Sequence, residues 1–408
     1  MAASQQNSQQ NSQQTGFDII IIGAGPAGLA LARMLGDMEL KIAVIERHGE
    51  KVLQKPPEDG RDIALTHSSE ATMRALGMWA YLPEDQIGLI RDAKVVNGTS
   101  PFALHFAAQG SGAEYLGRIV PNHLIRKAAY EVVRDQPGLT LLCDSEVVAV
   151  GTDTTGGHVS LKDGRQLEAA LIVAADSRFS ATRRKMGIAT HSTDFGRTVI
   201  VCEMTHELSH DDTAFECFHY DQTLAILPMH GLKSSVVVTL PSTRADAVMA
   251  MAPEAFAADI AARFDMRLGR MQLVSTRHAY PLVGVLARSF VANRFALIGD
   301  AAVGMHPVTA HGYNLGLSGA GLLADELHKA RQTGRDLGDM AGLRAYESTH
   351  RRAVLPLYHG TNALVRLFTD DRPPARLLRD VALRLGNFLP PVKSGILRQL
   401  THIEKRER

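Results

Sequence analysis

Three glycines, Gly23, Gly25 and Gly28, follow directly on the apolar, β-branched run Phe17 to Ile22 and open an amphipathic stretch reaching about Leu35. That order reads as strand, tight turn and helix. In such a turn Gly23 permits the reversal, Gly25 lets the backbone approach a pyrophosphate, and Gly28 lets helix and strand pack closely. The helix start adds partial positive charge, and Pro26 suits the first helical turn because its missing N–H costs nothing there. With Ala27 these residues form one candidate phosphate contact. A second strand, Lys41 to Ile45, ends at Glu46 and Arg47. A carboxylate about twenty residues beyond the glycines can accept hydrogen bonds from both hydroxyls of an adenosine ribose. The chemistry is that of a dinucleotide site, with FAD and NAD both open.

The choice between them rests on a segment far downstream. Residues Arg294 to Ala302 read RFALIGDAA and are followed by His306, Pro307 and the stretch Gly312 to Leu317. This resembles the second FAD motif of the flavoprotein aromatic hydroxylases. The resemblance implies that Asp300 hydrogen-bonds the ribityl chain, and that the next helix aims its N-terminus at the flavin pyrimidine ring. Helix N–H groups stabilise the negative charge of reduced flavin there. Pro307, Gly312, Tyr313 and Asn314 are then cofactor contacts, with Gly312, Gly316 and Gly319 expected to keep the approach open. The segment Leu171 to Arg184, LIVAADSRFSATRR, resembles the family's middle motif, with Asp176 as its aspartate and Ser177 where glycine is usual. By resemblance this loop serves FAD and the pyridine nucleotide, and Arg183 is its basic position. Arg61 with Ala64 to Ser68, and Arg118 with Asn122 and Leu124, resemble positions lining FAD: Arg61 moving with the isoalloxazine, Arg118 neutralising pyrophosphate. Val147, opening a strand after Asp144, is placed to present backbone to adenine.

The similarity spans about Phe17 to Leu367 and is closest to the ubiquinone-biosynthesis aromatic-ring hydroxylases. Further phrases carry it: Thr213 to Met229 with Phe218 and Leu227–Pro228, Tyr280 to Leu282, and Leu343 to Arg352 around Tyr346 and Arg351. It implies hydroxylation of a polyprenylated phenol or quinol, with NADPH or NADH as reductant, O2 as oxidant and a C4a-hydroperoxyflavin as the oxygen donor. Candidate catalytic residues are His311, Pro307 and Arg61. Val303 stands where many members have histidine, and Ala310 with His311 replace a glycine–glutamine pair. His311 is therefore a catalytic or hydrogen-bonding candidate, with helix capping as its alternative. A hydroxylase of another aromatic substrate and a non-catalytic FAD-binding subunit of a quinone-synthesis complex are the competing readings. No metal-ligand spacing occurs, and no second glycine fingerprint exists for the nicotinamide nucleotide.

The elements that must position these residues follow from length and pattern. At 408 residues the chain exceeds a single core. The expected architecture is α/β: a Rossmann-like FAD-binding domain of the glutathione-reductase type, interleaved with a β-sheet substrate domain and followed by C-terminal helices. The expected bounds are a disordered leader over 1–16, FAD-binding segments 17–190 and 280–350, a β-rich substrate domain over 191–279 and a C-terminal helical segment over 351–408. Part of 80–120 contributes to the substrate side. The substrate wall is expected within Val199 to Leu240, where Phe215, Cys217, Leu224 and Ile226 alternate as in a sheet. A net charge of +1 gives no electrostatic case for nucleic acid. Cys143, Cys202 and Cys217 have no redox or disulfide spacing, which fits a reducing cytoplasm. No run is apolar for the ~20 residues a membrane span needs. Beyond Pro374, alternating leucines and arginines read as amphipathic helices, suited to peripheral membrane contact or to packing on the protein or a partner subunit. Oligomeric state is left open.

Overall fold

The computed structural model describes residues 15–97, 103–109, 112–218, 222–305 and 311–369. Its first layer is a parallel sheet in the order Phe295–Leu297, Gln166–Ala174, Thr15–Ile22, Ile42–Ile45 and Leu139–Leu142. Continuous apolar runs such as Ile19 to Ile22, Ile42 to Ile45 and Leu171 to Ala174 are buried on both faces, as parallel strands require. Val147–Thr152 and Gly157–Leu161 extend antiparallel from Gln166–Ala174. The register sets Ile22 beside both Ile45 and Ala174, and Ala174 beside Leu297. Four strands therefore end level, and the glycine loop, Glu46, Asp176 and Asp300 emerge along one edge. Ligands of open α/β sheets bind beyond such carboxyl ends.

The second large sheet runs Val303–Gly304, His278–Ala287, Thr190–His206, Lys233–Pro241, Thr223–Pro228, Thr213–Phe218, Asp92–Asn97 and Ala103–Ala107. One face packs Ile200, Cys202, Cys217, Leu224, Ile226, Val236 and Val238 against Phe256 and Phe264 of the Pro253–Arg263 helix and its exit. Phe215 meets Phe264 edge-on on the same side. The residues whose alternation marked these strands thus turn away from the cofactor domain. Its other face carries Val199, Val201, Val237, Tyr280 and Leu282. Farther along the same face, Ala93, Val95, Ala214 and Leu227 meet Ala64 and Ile119 of the small sheet Asp62–Leu65, Gly117–Pro121 and Gly88–Ile90.

Three boundaries differ from the sequence reading. The first strand begins at Thr15, because Thr15 and Gly16 already pair with Leu167 and Glu168. The 279/280 boundary falls inside a strand: His278–Ala287 belongs to the substrate sheet, held by Thr190–His206. The boundary before 351 falls inside a continuous helix, Met340–Thr369. The amphipathic stretch beyond Pro374 and the leader over 1–14 lie outside the described residues.

Met340–Thr369 packs on the His311–Gln332 helix. At that seam His350 is fully buried between Phe290 and Tyr346, and neither ring nitrogen has a partner. Burial alone pulls its pKa down to about 4. The folded protein therefore excludes a proton that the unfolded chain accepts below its ordinary pKa of about 6.5. Stability is complete above that value and declines as pH falls toward about 4, by up to roughly 3 kcal/mol from this group. His350→Leu is expected to shrink the fall in melting temperature between about pH 7 and about pH 5, as read by calorimetry on both proteins. An equal fall in the two would show that His350 has no part in acid sensitivity.

Candidate active site

At the glycine loop the three glycines serve different ends. Gly23 has φ +111°, and a Cβ there would lie 2.6 Å from the Ala175 carbonyl oxygen. A Cβ on Gly28 would lie 2.1 Å from the Gly23 carbonyl oxygen. Both are dictated by the chain's own packing. Gly25 is not: its φ of −72° suits any residue, and the nearest protein atom to its Cβ position is 3.9 Å away. Room beside Gly25 is what a phosphate approach needs. Pro26 opens the Pro26–Met34 helix, and Ala27 faces away from that room toward Gly299 and Gly316. The Glu46 carboxylate accepts the Ala24 N–H at 3.0 Å and the His48 N–H at 3.0 Å, which fixes it at the loop. Arg47 is exposed.

The middle and second motifs meet the loop directly. Asp176 accepts the Thr182 N–H at 3.2 Å through one oxygen, while its other oxygen is buried without a partner among the described residues. Asp300 sits in the short turn Gly299–Ala301 and pairs with Arg178 at 3.3 Å. Arg183, the basic position of the middle motif, turns into the protein. It is buried and donates to the carbonyls of Ala301 at 2.7 Å and Arg178 at 3.0 Å. It ties the Asp176 loop to the Asp300 turn and points inward. Burial pulls its pKa down, with the Asp176 carboxylate opposing that shift.

The resemblance set Gly312, Gly316 and Gly319 together, and the structure separates them. Among the described residues a Cβ on Gly312 would meet nothing within 4 Å. A Cβ on Gly316 would lie 3.3 Å from the Gly299 Cα, and one on Gly319 would lie 2.7 Å from the His350 ring. Those two are packing glycines. Asn314, expected at the cofactor, spends its side chain on the chain itself: it donates to the Ala64 carbonyl at 2.8 Å and accepts the Thr66 N–H at 3.1 Å. It clamps the strand carrying the Arg61 region to the His311–Gln332 helix. The Tyr313 hydroxyl is buried without a partner among the described residues, and burial pushes its pKa up. His311 begins this helix. Pro307 lies outside the described residues.

Arg61 and Asn122 share an anchor that sequence reading missed, Asp59. Its carboxylate accepts from Arg61 at 2.6 Å and Asn122 at 2.8 Å, and its carbonyl accepts the Tyr280 hydroxyl at 2.7 Å. The Arg61 guanidinium lies 5.7 Å from the centre of the Tyr280 ring. Burial opposes the charge on Asp59, yet the Arg61 guanidinium holds its pKa below the ordinary carboxylate value. Arg118 bonds Glu70 at 3.1 Å and lies over Tyr115 and toward Trp79. Arg74 takes the other Glu70 oxygen at 2.8 Å, so two guanidiniums share one carboxylate and a positive charge remains. Val147 starts its strand beside Leu161. Asp62, also missed, is next to Arg61; burial and the Glu203 carboxylate push its pKa up to about 7. Asp59 and Asp62 flank Arg61 in sequence, but the partners that give Asp59 and Glu70 their bracing roles, Asn122, Tyr280 and Arg118, come from separate strands and helices and carried no motif.

The profile described as FAD binding domain matches residues 16–356 of the sequence. This chain belongs to that family. Ubiquinone hydroxylase UbiM of Neisseria meningitidis is 49% identical over 388 residues, covering 94% of this chain and 84% of the relative. Ubiquinone hydroxylase UbiL of Rhodospirillum rubrum is 35% identical, covering 93% and 88%. Among solved structures, p-nitrophenol 4-monooxygenase PnpA of Pseudomonas putida superposes with a TM-score of 0.76 at 17% identity, covering 95% of this chain and 98% of its own. The fold is that of flavin monooxygenases, and FAD is the cofactor. The residues present fit it: open space at Gly25 and Gly312, a fixed carboxylate at Glu46, an unpartnered oxygen on Asp176 and a half-exposed carboxylate at Asp300.

Gly25→Val should keep the wild-type melting temperature and lose bound FAD, because only the ligand requires glycine there. Asp300→Ala should bind FAD roughly 10- to 100-fold more weakly, the loss expected for a charge-assisted hydrogen bond. Flavin absorbance per chain after gel filtration reads both. Full loading of either variant would remove that residue from the cofactor site.

Proposed function

We propose that this protein hydroxylates the aromatic ring of a polyprenylated phenol or quinol in ubiquinone biosynthesis, with NADH or NADPH as reductant and O2 as oxidant. The observation that carries this reading is 49% identity along 94% of the chain to a protein named ubiquinone hydroxylase. Bound FAD supplies the electron transfer from nicotinamide to oxygen and the oxygen transfer to the ring.

The chain's own residues bind, orient and exclude water. Gly23 to Gly28 and Glu46 hold the dinucleotide end, while Asp176, Asp300 and Gly312 hold the flavin end. Arg61, braced by Asp59 and facing Tyr280, places positive charge near Asp300. Val199, Val201, Val237 and Leu282 form an apolar wall on the sheet face bearing Tyr280. An apolar wall favours a ring with a hydrocarbon tail and keeps water from the reacting edge.

A polyprenyl tail partitions into lipid, and among the described residues no helix is long and apolar enough to cross a membrane. The reading therefore has the protein working from the cytoplasm at the membrane surface, with its basic amphipathic C-terminal stretch as the contact.

Purified FAD-loaded protein given a short-chain prenylphenol, O2 and each nicotinamide nucleotide in turn should yield a product one oxygen atom heavier by mass spectrometry. Cells lacking the protein should accumulate the unhydroxylated precursor. Loaded protein that consumes nucleotide and gives peroxide alone with every prenylated and simple phenol tried would overturn the proposal.

A further inference from the structure

The sheet face that looks toward the cofactor domain is apolar along one continuous cross-strand row. Pairing places Leu104, Val95, Glu216, Ala225, Val237 and Val201 side by side across six strands. Their shared face is fixed by what surrounds them. Val95 and Leu104 pack with Ile119 and Ala64, and Val237 and Val201 pack with Tyr280 and Leu282. The opposite face is the one filled by Phe256 and Phe264.

Glu216 breaks this row. Its neighbours in the row, Val95 and Ala225, are apolar, and Phe218, on the same face of its own strand, packs against Val95, Leu104 and Leu367. Among the described residues no donor or cation pairs with its carboxyl. The nearest titratable group in the row is His278, which pairs with Val201 at the far end and bonds Thr276. On the adjacent strand Lys94 lies over Phe215 and His105 pairs with Asp92, both on the other face. Glu216 keeps some accessible surface, yet enclosure by the protein pushes its carboxyl up to about 8. Its place in the row sets it on the face that looks toward the cofactor domain. A lone enclosed carboxyl costs folding free energy, and a leucine of similar size would serve the wall better.

We infer that Glu216 is the substrate-orienting residue of the pocket, exchanging a hydrogen bond with a hydroxyl of the phenol or quinol ring. The inference rests on the proposed hydroxylase reading and adds the residue that selects ring orientation. A neutral carboxylic acid has one O–H to donate and a carbonyl oxygen to accept, which matches a phenolic hydroxyl. Every other neighbour in the row offers only apolar contact, so one polar anchor decides which edge of a tail-bearing ring turns toward the flavin. Sites built around one such hydrogen bond discriminate strongly against analogues lacking the group, because the protein's own partner is then left unsatisfied.

The test compares binding of a geranyl-substituted phenol and the matching geranylbenzene to the FAD-loaded protein, followed by perturbation of flavin absorbance without reductant. Wild-type protein should prefer the phenol by roughly 10- to 100-fold. Glu216→Leu should bind both alike, keep full FAD content and melt at or above the wild-type temperature. Glu216→Gln, which keeps a donor and an acceptor, should retain most of the preference. Wild-type protein without the preference, or Glu216→Leu protein that retains it, overturns the assignment. Because this readout needs no turnover, it is separate from the product assay, whose failure would strike the hydroxylase reading alone.

Discussion

The site depends on one close packing contact between parts of the chain that are far apart in sequence. Ala27 on the first helix, Gly299 in the Asp300 turn and Gly316 on the His311–Gln332 helix meet with almost no side chain between them. Gly299 takes a φ of +58°, and a Cβ on it would lie 3.1 Å from Ala27. Small residues at all three positions bring the helix starts together at the edge where the parallel strands end level. Interiors pack at crystal density, so a larger group at this junction has no space to relax into without parting the two motifs.

Around this junction the chain satisfies many of its own charges. Arg183, Asn314, Asp59 and Glu70 all work within the protein, holding loops and strands to one another. Among the described residues, the groups left with free capacity at this edge include one oxygen of Asp176, the half-exposed Asp300, and the positions beside Gly25 and Gly312. Buried polar atoms are nearly always paired, so an unpartnered oxygen at the edge of a sheet is itself a sign of a ligand.

The family motifs were legible because each is local. A strand, a glycine turn and a helix follow one another within a few residues, and the apolar runs that bury both faces of a parallel sheet are continuous in sequence. The sheet of the substrate domain was legible only as alternation. Phe215, Cys217, Leu224 and Ile226 marked the strands correctly, yet period-two alternation names two faces without saying which one meets the cofactor. The helix carrying Phe256 occupies the side of these four, and that leaves the face toward the cofactor domain to Val237, Val201 and Leu282. The boundaries at 280 and 351 were missed for a related reason, since strand pairing and helix continuity carry the chain straight through them.

By itself the sequence determined the dinucleotide loop, the acidic residue after the second strand, the second flavin motif and the strand-rich middle, because each is written in short-range spacing and hydrophobic period. Only the tertiary structure decided that Arg183 points inward, that Asn314 is a clamp, that Gly316 and Gly319 are packing glycines, and that Asp59 ties the Arg61 loop to Asn122 and Tyr280. Those assignments depend on partners brought in from other strands and helices. Spacing along a chain fixes direction within one element, whereas a side chain's task is set by whichever element the fold lays against it.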